Sequence, residues 1–237
     1  MKISQAFTIL VLSVLIAAAG FYVFKTFPMM PLAASEESHI VDHAFNGMLA
    51  ATIPIFALVV SVLLVSLLWY RHRADDTEKE GSRFFSSPGH IFEILWIGAS
   101  IVLTLGLAAY GSKELVRIIG EPKADLDVEV RASQWTWEFY YPGYEKYGSA
   151  LNLPRGKRVR IILTSEDVVH SFWVPEFRLK QDAVPGKVIP LLFTPTQNGQ
   201  YTLLCAELCG RDHTTMTSLV NVMDPEEFES SMKNENW

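Results

Sequence analysis

The chain has 237 residues, which is enough for one domain of ordinary size with additional segments. Its net charge is −6, and residues 111–237 contribute −4 of this, from 14 basic and 18 acidic residues, which disfavours nucleic acid as a partner. Apolar residues make up 49% of the sequence and are concentrated in its first half, so the two halves are expected to have different surroundings.

Three stretches of the first half contain no charged side chain, at residues 6–24, 48–70 and 94–112. Each is close to the roughly 20 helical residues that cross a bilayer core. We therefore predict a transmembrane helical hairpin over residues 25–112. Residues 1–24 contain Lys2, an apolar run and three consecutive alanines, which also suit a secretory signal segment. We prefer a third, retained transmembrane helix for this segment.

Basic residues predict the orientation of these helices. Residues 71–90, between the second and third stretches, carry four basic side chains, whereas residues 25–47 carry only Lys25. Because basic loops stay on the cytoplasmic side, loop 71–90 and the N-terminus are expected inside. Everything after Ser112 is then expected outside. The sequence thus predicts a multi-pass protein of a bacterial-type cytoplasmic membrane, with its outer domain on the periplasmic face.

Residues 113–237 follow a different pattern, which is typical of strands. In "KRVRIILTS" the apolar residues Val159, Ile161 and Leu163 occupy alternate positions. Similar short runs occur at residues 126–130, 188–193, 201–204 and 218–223, and Gly- and Pro-containing turn signals separate them. Many short strands without intervening helices indicate a β-sandwich or barrel.

The end of the chain has a helical pattern instead. Pro225 follows Asp224, a suitable N-cap residue, and Phe228 and Met232 are four residues apart. We predict a short closing helix here.

Both cysteines lie in the segment "CAELCGRDHTTM", whose soft donor residues are Cys205, Cys209, His213 and Met216. Two cysteines on the oxidising side of a membrane would ordinarily form a disulfide. Thiolates, an imidazole and a thioether in one loop, however, suit copper, and a mononuclear blue-copper site needs only one cysteine. Two thiolates could instead bridge two copper ions, each of which would need its own imidazole. His170, in "EDVVHSFWVPEF", is the other histidine of residues 113–237 and the candidate for the second.

The segments "SEDVVHSFWVP", "DAVPG" and "CAELCGRDHTTM" resemble subunit II of the haem–copper cytochrome c oxidases, and the resemblance extends from the second apolar stretch to about Met223. It implies a membrane-anchored all-β protein, with N-terminal transmembrane helices and a cupredoxin-like Greek-key β-sandwich that holds the dinuclear copper A centre. Cys205 and Cys209 would bridge two copper ions. The remaining copper ligands would be His170, His213, Met216 and the main-chain carbonyl of Glu207.

The resemblance also implies roles outside the copper site. The Glu207 side chain would reach a magnesium ion shared with the catalytic subunit. Trp135, in "ASQWTWEFYYPG", matches an exposed tryptophan at which cytochrome c delivers its electron, although such aromatic residues ordinarily fill a sandwich core. Glu166 and Asp167 match acidic positions of the donor-docking surface. Glu93 matches the entrance of a proton path, but a carboxylate at a helix N-terminus can also be a simple cap.

The expected function is therefore that of the subunit through which electrons reach a respiratory terminal oxidase. Its expected partners are a c-type cytochrome, membrane lipid, subunit III and the catalytic subunit I, which alone would hold haem. Two alternatives remain open on the sequence. The related subunit of a quinol oxidase shares the helices and the sandwich but lacks the copper ligands. A membrane-tethered copper-delivery protein would hold copper transiently and would not need Trp135 or Glu93.

Overall fold

The structure is a computed structural model that describes residues 3–69, 89–120 and 123–234. It divides into two units, one of Met1–Met29 with Ala44–Lys113 and the other of Met30–His43 with Glu114–Trp237. Residues 71–88, which form most of the predicted cytoplasmic loop and include its basic residues, lie outside the described residues.

The first unit is built from three long helices. They are α1 (Ile3–Thr26), α2 (Glu36–Trp69) and α3 (Gly89–Ile119). All three are long and apolar enough to cross a membrane. Helix α1 packs closely on α2, where a Cβ atom on Gly20 would lie only 3.1 Å from Ile53 Cγ2. Small residues commonly permit such close approach between membrane helices.

The second unit is a sandwich of two five-stranded sheets. Its strands are β1 (Leu126–Ser133), β2 (Thr136–Tyr141), β3 (Lys146–Gly148), β4 (Leu151–Pro154), β5 (Val159–Ser165), β6 (His170–Val174), β7 (Leu179–Ala183), β8 (Ile189–Phe193), β9 (Gly199–Cys205) and β10 (Thr217–Met223). The strand orders are β3-β2-β1-β5-β8 and β4-β10-β9-β6-β7. Most pairs are antiparallel, but β1 with β5 and β4 with β10 are parallel. Apolar helices followed by a β-sandwich confirm the predicted fold class.

The core lies between the two sheets. Along β5 burial alternates, and Val159, Ile161 and Leu163 point inward as the period of two predicts. Helix α4 (Pro225–Lys233) closes the sandwich with Phe228 and Met232, which confirms the predicted closing helix. Asp224 does occupy the N-cap position, but its side chain makes no cap hydrogen bond.

The segment Met30–His43 belongs to the sandwich unit, and a buried ion pair anchors it there. The carboxylate of Glu37, in the first turn of α2, accepts hydrogen bonds from the Thr194 backbone N–H at 3.0 Å and from the Arg158 guanidinium at 3.2 Å. Nearby, Ser35 forms a β-bridge with Pro195. The apolar pattern of the sequence does not indicate this attachment.

Candidate metal centre

The loop between β9 and β10, together with Cys205 at the end of β9, carries five of the six predicted copper ligands. Its two ends are held together, because the backbone N–H of Cys205 donates to the carbonyl of Met216 at 3.1 Å. Between them, His213–Thr215 forms a short 3₁₀ turn, which is followed by Met216. A hydrogen bond from the Ala206 N–H to the Ser171 carbonyl, at 3.0 Å, joins the loop to strand β6. This strand begins at His170, so the sixth ligand is brought to the same place.

The other four donor atoms converge on the two Sγ atoms of the cysteine pair. The Sγ atoms of Cys205 and Cys209 are 3.8 Å apart. Cys205 Sγ lies 3.9 Å from His170 Nδ1 and 3.3 Å from the Glu207 carbonyl oxygen. Cys209 Sγ lies 3.6 Å from His213 Nδ1 and 3.8 Å from Met216 Sδ. Each sulfur atom thus has its own imidazole and one further donor.

The cysteine pair suits a metal better than a disulfide. Both thiols are free, and their separation is far longer than the S–S bond of about 2 Å. Burial, followed by the hydrogen bond and charge of Cys205, raises the pKa of Cys209 to about 11. The Cys209 thiolate therefore needs a bound cation to be stable at this buried position. A set of two thiolates, two imidazoles and a thioether is soft, so these residues fit copper.

A carboxylate orients the buried imidazole of His170. His170 is fully buried, and its Nε2 lies 2.8 Å from Asp167 Oδ1. Because a carboxylate only accepts, Nε2 carries the proton and Nδ1 remains free to bind a metal near Cys205. Desolvation would by itself raise the pKa of Asp167, but hydrogen bonds from His170 and from the N–H groups of Val168 and Gln134 lower it.

Sequence reasoning assigned Asp167 to donor docking and missed this contact with His170. Asp167 precedes His170 by three residues, a spacing at which a turn can bring the two side chains together, and this spacing could have indicated the contact. Glu166, the other predicted docking residue, is exposed and its carboxylate is not joined to any of the six donors in the described residues.

Two tryptophans flank the donor set. The Trp135 indole, expected to be exposed, is half-buried, and its Nε1 is buried without a hydrogen-bond partner among the described residues. The Arg211 guanidinium lies 5.9 Å from the centre of its ring. Trp137 is a buried core residue, and its ring centre lies 6.3 Å from that of His170 in an edge-on arrangement. Sequence reasoning treated Trp137 only as part of the aromatic run.

Two predicted residues contribute no side chain to the donor cluster. The Glu207 side chain is exposed, and only its carbonyl faces Cys205. Glu93 lies near the start of α3, and its half-exposed carboxylate is 3.8 Å from His90 Nδ1. The structure thus brings the six copper candidates together, and neither the Glu207 carboxylate nor the Glu93 carboxylate takes part in that cluster.

A sulfur-rich, copper-type donor set in a β-sandwich that follows apolar helices defines a membrane-anchored protein with an external metal domain. The family profile described as cytochrome c oxidase subunit II, periplasmic domain, matches residues 146–223. The chain is 30% identical to a cytochrome c oxidase subunit 2 of Thermostichus vulcanus, over 92% of this chain and 81% of the relative. It therefore belongs to the cytochrome c oxidase subunit II family, whose members are components of haem–copper terminal oxidases.

Further relatives carry the same description. A cytochrome c oxidase subunit 2 of Synechocystis sp. is 28% identical over 97% of this chain and 82% of the relative. Among solved structures, the periplasmic domain of subunit II of a Bradyrhizobium japonicum cytochrome oxidase aligns with 47% of this chain and 94% of that domain, at 31% identity and a TM-score of 0.45.

Proposed function

We propose that this chain is the subunit through which electrons reach a proton-translocating terminal oxidase. It receives single electrons from a c-type cytochrome and passes them to haem in the catalytic subunit I, where oxygen is reduced to water. The observation that carries this proposal is the convergence of four further donor groups on one thiol pair, at distances of 3.3 to 3.9 Å.

Two copper ions would be held by His170, Cys205, the Glu207 carbonyl, Cys209, His213 and Met216. Copper held by these residues would supply a one-electron carrier between the donor and the catalytic subunit. The protein's own contribution is to fix the donors before the metal binds. Asp167 sets the orientation of His170, and the fully buried Met216 side chain keeps water away from Cys209.

The remaining assignments are made by likeness to the family. Trp135 would receive the electron, and the exposed carboxylate of Glu166 would attract a lysine-rich donor. The outward-facing Glu207 side chain would reach a magnesium ion at the boundary with subunit I. Glu93 would mark the entrance of a proton path. We place the sandwich on the periplasmic face of a bacterial cytoplasmic membrane, in an assembly that also contains subunit III.

The test is isolation of the assembled oxidase from membranes, followed by metal analysis and electron paramagnetic resonance. We expect two copper ions per chain that share one unpaired electron, together with a haem-bearing partner. Cys209→Ser should abolish the two-copper signal, because a hydroxyl cannot bridge copper ions as a thiolate does. Thr215→Ser, in the same loop, is the matched control and should retain it. A single labile copper in the unaltered chain would indicate a delivery protein instead.

A further inference from the structure

Gln134 lies in the turn between β1 and β2. Its hydrogen bonds reach both Asp167, which contacts His170, and the loop of residues 206–216, called the copper loop below. Its backbone N–H donates to Asp167 Oδ2 at 2.7 Å. Its side-chain Nε2 donates to the carbonyl of Cys209, also at 2.7 Å. The next residue along the chain is Trp135. A single residue thus links this tryptophan to a carboxylate that holds one metal ligand and to the backbone of another.

The copper loop is shaped to receive this turn. Gly210 follows Cys209 and has φ +128°, a conformation that residues with a side chain rarely adopt. A Cβ atom at Gly210 would lie 2.9 Å from Gln134 Nε2 and 3.2 Å from the Trp135 ring. Only glycine therefore allows the amide and the indole to lie directly on the loop.

The indole itself cannot make this attachment. Trp135 Nε1 is buried without a hydrogen-bond partner among the described residues. The ring itself is therefore held by apolar contacts and by the Arg211 guanidinium. Such contacts are not directional, whereas the two hydrogen bonds of Gln134 are. Gln134 therefore supplies the directional contacts between the Trp135 turn and the loop that contains Cys209.

We propose that Gln134 is a positioning residue that fixes the Trp135 ring against the copper loop. It thereby determines how fast an electron passes from the donor to the metal. The inference rests on the proposed function. Gln134 supplies no ligand atom, and its backbone bond to Asp167 survives any change of its side chain. Removal of the side-chain amide should therefore loosen the Trp135 turn and leave the six donors in place.

The experiment uses the assembled oxidase with Gln134→Ala and Gln134→Glu, where the glutamate would place a carboxylate against the Cys209 carbonyl. Thr136→Ala is the matched control, because Thr136 is exposed in β2 beside the same turn. Copper content and the paramagnetic resonance spectrum are measured first. Reduction is then followed by rapid mixing with a reduced, lysine-rich cytochrome c and, separately, with hexaammineruthenium(II), a small reductant that does not depend on docking.

We expect both Gln134 variants to retain two copper ions and an unaltered spectrum. Reduction by cytochrome c should be slower by about tenfold at saturating donor, since small displacements of reacting groups have effects of at least that size, with KM unchanged. Reduction by the ruthenium complex and all properties of Thr136→Ala should match the unaltered oxidase. A normal cytochrome rate, loss of copper, or equal slowing with both reductants would overturn the inference. A missing two-copper signal in the unaltered oxidase would instead contradict the proposed function.

Discussion

Replacement of Asp167 tests whether its carboxylate orients a metal ligand or only attracts the electron donor. In Asp167→Ala the Nε2–H of the fully buried His170 loses its acceptor at 2.8 Å. An unsatisfied buried donor costs about 1–3 kcal/mol. The N–H groups of Val168 and Gln134 also lose an acceptor, but these hydrogen bonds lie at the surface, where water can replace them. Copper affinity should therefore fall by about 10- to 100-fold.

The assay is competition between the isolated oxidase and a copper chelator of known affinity, read by the copper spectrum. Asp167→Asn should lie between the unaltered protein and Asp167→Ala, because the amide retains only one acceptor oxygen. Glu166→Gln is the matched control: it removes a neighbouring exposed charge and should raise KM for the donor without changing copper affinity. If Asp167→Ala binds copper as tightly as the unaltered protein and changes only KM, the orienting role is wrong and the docking role predicted from the sequence is sufficient.

Two further changes test roles assigned by likeness to the family. Trp135→Leu should slow reduction by cytochrome c at least tenfold while copper content stays normal, because the short path through the indole is lost; unchanged reduction would remove Trp135 from the electron path. Glu93→Ala should slow proton-coupled turnover severalfold and leave the first reduction of copper unchanged. If Glu93→Gln and Glu93→Ala both turn over normally, a helix-cap role for Glu93 accounts for its position.

Most of the donor set could be predicted because its residues are close in sequence. Cys205, Cys209, His213 and Met216 lie within twelve residues, so a single loop must bring them together whatever surrounds it. His170 is 35 positions from Cys205 and could be added because the outer part of the chain has only one other histidine. The alternating pattern of strands such as β5 likewise depends only on local periodicity.

The residues that hold the donors in place could not be predicted in the same way. Gln134 reaches the Cys209 carbonyl across 75 positions, and nothing near either residue indicates the pairing. The half-burial of Trp135 depends on Gly210 and Arg211, which come from a distant loop. A carboxylate such as Asp167 is equally consistent with a docking surface until its distance from His170 is known. Tertiary contacts decide each of these roles.

The strand that carries His170 is fixed at both ends by residues that bind no metal. Asp167 holds its beginning, and Arg178 holds the turn that follows it. Arg178 has φ 58°, a left-handed conformation that is costly for a residue with a side chain. Its guanidinium compensates by donating to Asp42 Oδ1 at 2.8 Å and to the Pro31 carbonyl at 2.6 Å. These hydrogen bonds fasten the segment Met30–His43 to the turn that follows strand β6, and they offset the cost of the left-handed backbone at Arg178.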